Sequence, residues 1–185
     1  MSRLILWNML SLDGYFEGAE SWDVEWFRGF FGKELAQFSI EQLRRADALV
    51  FGRVTYEGMA AYWPTAKGED AELMNSLPKV VFSRTLERVD WRNTRLVKSD
   101  LVDAVRKLKS QGSRSIYAFG SGEVCAELLA AGLFDEVRLA LVPMVLGRGT
   151  TLFGRDMNRR AMKLLEARPL ANGCVILRYE PQQRE

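Results

Sequence analysis

The sequence predicts a single α/β domain over residues 1–185, with a mostly parallel central sheet and antiparallel strands at its C-terminal end. Through most of the chain, short apolar runs alternate with helical patterns, which is typical of parallel strands joined by helices. In the tail, apolar segments follow one another with only loops between them, which predicts antiparallel pairing. No linker is long or polar enough to separate two domains.

The predicted strands are short runs rich in Val, Ile, Leu and Phe, at residues 4–9, 48–51, 79–82, 95–97, 116–119 and 137–142. Continuous apolar runs of this length are typical of strands buried on both faces. The tail then reads RLALVP, AMKLLEARPL and CVILRYEP, and the pair Asn172-Gly173 between the last two segments predicts a tight hairpin turn.

The predicted helices span residues 24–45, 54–62, 101–110 and 123–131. The clearest is SDLVDAVRKLKSQG, in which Leu101, Val105 and Leu108 share one face. Asp100 stands where it can cap the first turn, and Gly112 follows the last turn. This helix therefore carries start and stop signals as well as the apolar spacing.

The charge balance argues against a polyanionic partner. Lysine and arginine number 26 against 24 aspartates and glutamates, for a formal net charge of +2. No basic stretch alternates with aromatic residues along one face, so we predict no nucleic-acid groove. No apolar run is long enough to span a bilayer and no signal-peptide pattern is present, so we predict no membrane partner and a cytoplasmic location.

The chain contains no histidine, which excludes Ser-His-Asp and Cys-His catalysis and the histidine-containing zinc sites. We therefore predict no metal. Acid–base chemistry must use carboxylates, tyrosine, lysine, water or a cofactor. Cys125 and Cys174 are far apart and not in a C-x-x-C arrangement, so we expect both to be reduced and buried, although spacing alone leaves a bridge open.

Gly120, Ser121 and Gly122 follow a predicted strand and open a predicted helix. Backbone N–H groups at such a turn can face an anion at the positive helix end, and a pyrophosphate suits that position. The alternative is a plain strand-to-helix turn in which glycine supplies an unusual dihedral angle.

A second loop of similar construction follows the strand at 48–51. Gly52 ends this strand, Arg53 offers a planar fork for phosphate, and Thr55 in the first helical turn offers a hydroxyl donor. The alternative is a surface arginine beside a capping threonine.

The third loop holds Ser83, Arg84 and Thr85, directly after the strand at 79–82, and its alternative role is a solvated turn. Ligands of open parallel sheets bind at the carboxyl ends of the strands, so all of these loops should lie along one edge. Together they suit a dinucleotide, and a cation between two hydroxyls suits a ribose 2′-phosphate. The set therefore predicts NADPH rather than NADH as the cofactor.

The order of these motifs resembles a known family. GRVTYE at 52–57, FSRT at 82–85 and GSGEV at 120–124 resemble the cofactor loops of the dihydrofolate-reductase-like fold. SLDGYFEG, LPKVVFSRTLE and GLFDEVRLALVPMVLGRGTTLF resemble the reductase domain at the C-terminus of the bifunctional riboflavin-biosynthesis deaminase-reductase, and its stand-alone relatives. The resemblance covers nearly the whole chain. It implies a three-layer α/β fold, a homodimer, and NADPH as hydride donor to a C=N or C=C bond of a small flat heterocycle.

The resemblance also assigns roles to individual residues. The pyrophosphate region would be held by Thr55, Gly120, Ser121, Gly122, Glu123 and Val124, and the ribose phosphate by Ser83, Arg84 and Thr85. Gly52 and Arg53 join the predicted cofactor-binding residues from the construction of their own loop. In the folate enzyme the glycine loop begins with a Gly-Gly cis peptide. Ser121 at the second position disfavours that bond here, because a cis peptide without proline is unfavourable by several kcal/mol.

Two carboxylates are candidates for assisting proton transfer. Asp13 in SLDG follows the first strand, where a loop could fold over the nicotinamide, and its alternative role is an Asx-turn. Asp23 in DVEWFR resembles the acidic residue that holds the pteridine in dihydrofolate reductase. Its alternative role is a helix N-terminal carboxylate favoured by the helix dipole.

The candidate substrate residues are Trp22, Gly147 and Arg148. Trp22 opens a segment crowded with aromatic residues, whose helical spacing is ordinarily a sign of the protein core. Gly147 and Arg148 lie in a stretch that borders the substrate in the riboflavin-type reductases, and Arg148 is otherwise a solvated side chain. The main hypothesis is an NADPH-dependent reductase of a pterin-like or pyrimidine-like molecule. The alternatives are a non-catalytic nucleotide-binding or assembly protein and a flavin-binding oxidoreductase.

Overall fold

The computed structural model describes residues 1–154 and 157–182. The predicted domain 1–185 therefore includes residues 155–156 and 183–185, which lie outside the described part. The strands are β1 (Arg3–Ser11), β2 (Tyr15–Glu17), β3 (Ala46–Gly52), β4 (Lys79–Phe82), β5 (Thr94–Val97), β6 (Ser115–Phe119), β7 (Glu136–Val142), β8 (Thr150–Thr151), β9 (Met162–Pro169) and β10 (Val175–Pro181). The α-helices are α1 (Lys33–Arg44), α2 (Arg53–Tyr62), α3 (Glu69–Ser76), α4 (Leu101–Gln111) and α5 (Gly122–Ala130), and a 3₁₀-helix spans Glu25–Phe30.

A central eight-stranded sheet has the strand order β5-β4-β3-β6-β1-β7-β10-β9, and β2 pairs with β8 in a separate two-stranded ribbon. The strands β5, β4, β3, β6, β1 and β7, neighbours in that order, are parallel to one another. β10 is antiparallel to both β7 and β9. The prediction of an α/β fold with a mostly parallel sheet and antiparallel C-terminal strands is therefore confirmed.

Strand β1 lies at the centre and is buried on both faces, because successive side chains of a strand point to opposite sides. Ile5 and Trp7 pack in one apolar cluster with Leu35 and Phe38 of α1. Leu4 and Leu6 pack in a second cluster, together with buried residues of α4 and α5. This two-sided burial explains the continuous apolar run that marks β1 in the sequence.

The predicted helix 24–45 is wrong as a single element. The 3₁₀-helix ends at Phe30, Phe31 and Gly32 are not helical, and α1 begins at Lys33. The Phe30 carbonyl accepts hydrogen bonds from the Gly32 N–H at 2.8 Å and from the Asn172 side chain at 2.5 Å. Because this carbonyl is bound elsewhere and Gly32 favours a non-helical backbone, the segment divides at this point.

The turn predicted at Asn172-Gly173 is a hairpin with three loop residues rather than two. Leu170 donates to the Cys174 carbonyl at 2.8 Å, and Gly173 donates to the Leu170 carbonyl at 3.0 Å. Gly173 has φ of +86°. The predicted cap of α4 is present, since the Asp100 carboxylate accepts the Asp103 N–H at 2.9 Å. Both cysteines are free and buried.

Three elements are absent from the sequence-based prediction: α3, β2 and β8. α3 is 8 residues long, while β2 and β8 have 3 and 2 residues. Elements of this length are too short to show a period. Across residues 1–154 and 157–182, no helix has the length and apolar content needed to cross a bilayer.

Candidate functional site

One continuous cleft of about 800 Å³ runs along the carboxyl edge of the parallel strands in the described part of the chain. The loops that follow β3, β4 and β6 all contribute to it, as the sequence predicts. The structure brings together ten of the predicted cofactor-binding residues in its lining, namely Gly52, Arg53, Thr55, Ser83, Arg84, Thr85, Ser121, Gly122, Glu123 and Val124. Gly120 lies directly behind this lining.

The loops after β3 and β6 are joined by the Ser121 hydroxyl. Its oxygen accepts the Gly52 N–H at 2.7 Å, and the hydroxyl donates to the Thr55 hydroxyl oxygen at 2.7 Å. A Cβ atom on Gly52 would lie 2.7 Å from the Ser121 oxygen, and one on Gly120 would lie 2.7 Å from the Thr55 oxygen. Both glycines are therefore required for this close approach.

The turn into α5 is left-handed at two successive residues. Gly120 has φ of +50° and Ser121 has φ of +55°, and the peptide bond between them is trans. The left-handed region is readily accessible to glycine but unfavourable for serine. Serine is less favourable than glycine in this backbone conformation, but its hydroxyl joins the two loops by hydrogen bonds.

The start of α5 presents backbone N–H groups to the cleft. The first intrahelical hydrogen bond runs from the Cys125 N–H to the Ser121 carbonyl at 2.9 Å, and the described side chains provide no cap for Gly122–Ala130. The N–H groups of Gly122, Glu123 and Val124 precede this bond, which is the arrangement that binds anions at helix starts.

The buried thiol of Cys125 supports the same turn from below. It donates to the Gly120 carbonyl at 2.8 Å. Burial raises the pKa of the Cys125 thiol far above its ordinary value. The group is therefore a neutral hydrogen-bond donor and not a nucleophile.

At one end of the cleft, the loops after β4 and β5 lie side by side. The Ser83 N–H donates to the Val97 carbonyl at 3.2 Å, and the Ser83 oxygen accepts the Leu86 N–H at 3.0 Å. Lys98 and Ser99 line the cleft here beside Arg84. Lys98 and Ser99 are absent from the sequence-based prediction. The rule that ligands bind at the carboxyl ends of parallel strands would have found them, because the predicted strand at 95–97 ends at the same edge.

The opposite end of the cleft is formed by the two-stranded ribbon. Phe16 and Glu17 of β2, Thr150 of β8 and Ser21 line it. Glu17 is buried, and its carboxylate accepts the Trp22 N–H. Sequence reasoning missed these residues too, because strands as short as β2 and β8 leave no periodic signal.

Asp13 lies outside the cleft and is exposed. Its carboxylate accepts hydrogen bonds from the Ser11 hydroxyl at 2.7 Å and from the N–H groups of Leu146 at 3.1 Å and Gly147 at 2.7 Å. Partial desolvation raises the pKa of Asp13, but these hydrogen bonds outweigh it and hold the pKa below its ordinary value. The geometry thus supports the turn-forming alternative for Asp13, and its catalytic role stays a prediction.

The structure also places the other predicted catalytic and substrate residues outside the cleft lining. Asp23 packs against Gly18, where an added Cβ would lie 1.9 Å from the Asp23 carboxylate. Trp22 has φ of +62°, and its ring covers Gly58 of α2 so closely that a Cβ there would lie 2.0 Å away. Gly147 and Arg148 are exposed in the loop that Asp13 holds. The described residues contain no group of acidic and cysteine side chains placed to hold a metal.

A family model described as the RibD C-terminal domain matches residues 3–176. The uncharacterized protein YyaP of Bacillus subtilis (strain 168) is 29% identical over 182 residues, covering 96% of this chain and 94% of YyaP. The structure of a putative riboflavin biosynthesis protein from Shewanella sp. PV-4 has a TM-score of 0.80 at 22% identity, covering 98% of this chain and 99% of that chain.

The structure of dihydrofolate reductase from Enterococcus faecalis, complexed with NADP(H) and RAB-propyl, has a TM-score of 0.65 at 12% identity, covering 98% of this chain and 97% of that chain. These likenesses confirm the predicted dihydrofolate-reductase-like fold.

Proposed function

Because the chain belongs to the RibD C-terminal domain family, whose members are reductases, we propose that it is an NADPH-dependent reductase of a small heterocycle, pterin-like or pyrimidine-like. The observation that carries this proposal is the single cleft that gathers the loops after β3, β4, β5 and β6. The cleft combines backbone N–H donors, hydroxyls and cations in an order that matches the parts of a phosphorylated dinucleotide.

The order of groups follows the order of strands. From β5 to β1 the sheet edge crosses four inter-strand steps, which at about 4.8 Å each is roughly 19 Å. The adenosine end, with its 2′-phosphate, would meet Arg84 and Lys98 at the β5 side. The pyrophosphate would meet the start of α5 in the middle, and the nicotinamide would lie at the ribbon end.

The donors in the middle of the cleft fit a pyrophosphate. The hydroxyl of Thr55 accepts from Ser121 and keeps its own proton to donate. Arg53 is exposed and forms a salt bridge with Glu57 at 2.9 Å, and surface pairs of this kind are weak enough to be exchanged for a phosphate. Together with the N–H groups that begin α5, these residues provide both backbone and side-chain contacts to an anion.

Bound NADPH would supply the hydride, so the chain itself would orient the ring and exclude water. The Phe16 ring supports the start of α5 from the ribbon side, since a Cβ on Gly122 would lie 3.4 Å from that ring and 3.2 Å from the Thr151 carbonyl. The ribbon and the glycine turn therefore form one continuous wall at the proposed nicotinamide end.

Two measurements test the proposal. Titration of the protein with NADPH, followed by tryptophan fluorescence, should show saturable binding, and NADPH oxidation should be observed with at least one pterin or riboflavin-pathway pyrimidine. Folded protein that fails to bind NADPH at millimolar concentration would overturn the proposal. Binding without turnover of any such heterocycle would instead support the non-catalytic nucleotide-binding alternative, which is favoured by the position of Asp13 and Asp23 outside the cleft.

A further inference from the structure

Glu17, a residue with a buried carboxylate, belongs to the ribbon end of the cleft lining. Glu17 lines the cleft, yet only 7% of the residue is exposed. Its one described hydrogen-bond donor is the backbone N–H of Trp22. Within residues 1–154 and 157–182, the salt bridges formed by lysine and arginine side chains do not include Glu17.

This placement is informative because a buried carboxylate is unfavourable unless hydrogen bonds or a cation compensate for its lost hydration. One backbone donor satisfies only part of the capacity of two carboxylate oxygens. The other carboxylates of the cleft, Glu123 and Glu127, are exposed on α5 and remain hydrated. Glu17 is thus the acidic group of the lining that stands to gain most from a ligand.

The sign of the charge restricts what that ligand group can be. The cations Arg84 and Lys98 stand at the β5 end of the cleft, and the buried anion stands at the ribbon end. A phosphate beside Glu17 would be repelled, whereas a positively charged ring or an N–H donor would be attracted. The two ends of the cleft therefore select for opposite charges.

We propose that Glu17 recognises the nicotinamide end of the coenzyme and favours its oxidised, positively charged form. This inference rests on the proposed function, which places the nicotinamide at the ribbon end. The oxidised ring carries a positive charge that the reduced ring lacks, so a nearby carboxylate distinguishes the two forms. Glu17 is then a specificity-determining residue for the redox state of the coenzyme.

The test compares the affinities of NADP⁺ and NADPH, measured by calorimetry on the folded protein. In E17Q the amide oxygen can still accept the Trp22 N–H while the charge is lost. We expect the ratio Kd(NADP⁺)/Kd(NADPH) to rise by about ten-fold or more in E17Q, the scale of one partly screened charge interaction. E20Q, in the adjoining exposed turn, is the matched control and should keep the wild-type ratio.

A second variant keeps the test decisive if E17Q does not fold. E17D keeps the charge and the acceptor oxygens but draws the carboxylate back by one methylene group, so the same ratio should rise by a smaller factor than in E17Q. If Glu17 only holds the turn at Trp22, both affinities will change by the same factor and the ratio will not move, which overturns the inference. Failure of the wild-type protein to bind either coenzyme would overturn the proposed function as well, and so differs from that result.

Discussion

Ser121 offers a sharp test of the proposed cofactor cleft, because its hydroxyl stabilises the site by hydrogen bonds while its left-handed backbone conformation is unfavourable. Replacing it by alanine removes the hydroxyl that accepts the Gly52 N–H and donates to Thr55, both at 2.7 Å. A lost hydrogen bond contributes about 1 kcal/mol, and an unsatisfied N–H adds about 1 kcal/mol or more. We therefore expect Ser121→Ala to lower the free energy of unfolding by ~2–3 kcal/mol.

Replacement by glycine separates the hydroxyl from the backbone strain. Ser121→Gly loses the same hydrogen bonds, but it removes the penalty that a side chain incurs at φ of +55°, which is about 1–2 kcal/mol. The greater freedom of glycine in the unfolded chain offsets part of this gain. The glycine variant should thus be more stable than the alanine variant by ~1 kcal/mol, while remaining less stable than the wild type.

Urea denaturation of the wild type and both variants measures these differences, and titration with NADPH measures the effect on the cleft. The control is Ser110→Ala, because Ser110 is exposed on α4 and its hydroxyl donates only to the Lys107 carbonyl. This variant should stay within about 0.5 kcal/mol of the wild type. Equal stability of the alanine and glycine variants would refute the left-handed geometry, and wild-type stability of both would refute the hydroxyl bridge.

Two further predictions concern charge. Arg84→Ala should reduce the preference for NADPH over NADH by about ten-fold, the scale of one charged hydrogen bond, and an unchanged ratio of the two Kd values would contradict its role. The Glu136 carboxylate is fully buried beside Arg138 and Arg178, both at 2.6 Å. Burial raises its pKa, but these arginines outweigh burial and lower the pKa to about 2 from 4.5. Because the folded state has the lower pKa, this stabilisation is present above pH 4.5 and is lost as the pH falls towards 2, a loss of about 3 kcal/mol. Urea denaturation across this range should show a steeper decline for the wild type than for Glu136→Gln, and parallel declines would contradict the ion-pair assignment.

The parallel strands and the cofactor loops are readable from the sequence for a physical reason. A strand covered on both faces must be apolar at nearly every position, so β1, β3, β4 and β6 appear as short continuous runs. The loops at their carboxyl ends share one edge by topology alone. Glycines at 52 and 120 are required by close approach to Ser121 and Thr55.

The rest of the site depends on contacts that no local pattern encodes. Asp13 is a catalytic candidate by its position after β1, and its carboxylate also accepts the N–H of Gly147, a residue 134 positions away in the chain. Glu17 was not a candidate because β2 is 3 residues long and gains its place only by pairing with β8. The break before α1 likewise depends on a hydrogen bond from Asn172.

The thiol beneath the glycine turn has a consequence for how durable the proposed coenzyme loop is. Cys125 is fully buried, and burial strongly disfavours its thiolate, the form that oxidants and alkylating agents attack. The conformation of Gly120 thus depends on a sulfur atom that is shielded from redox chemistry. Cysteine therefore provides a hydrogen-bond donor at this turn while its burial keeps the thiol unreactive, so exposure to oxidants would leave the turn in place.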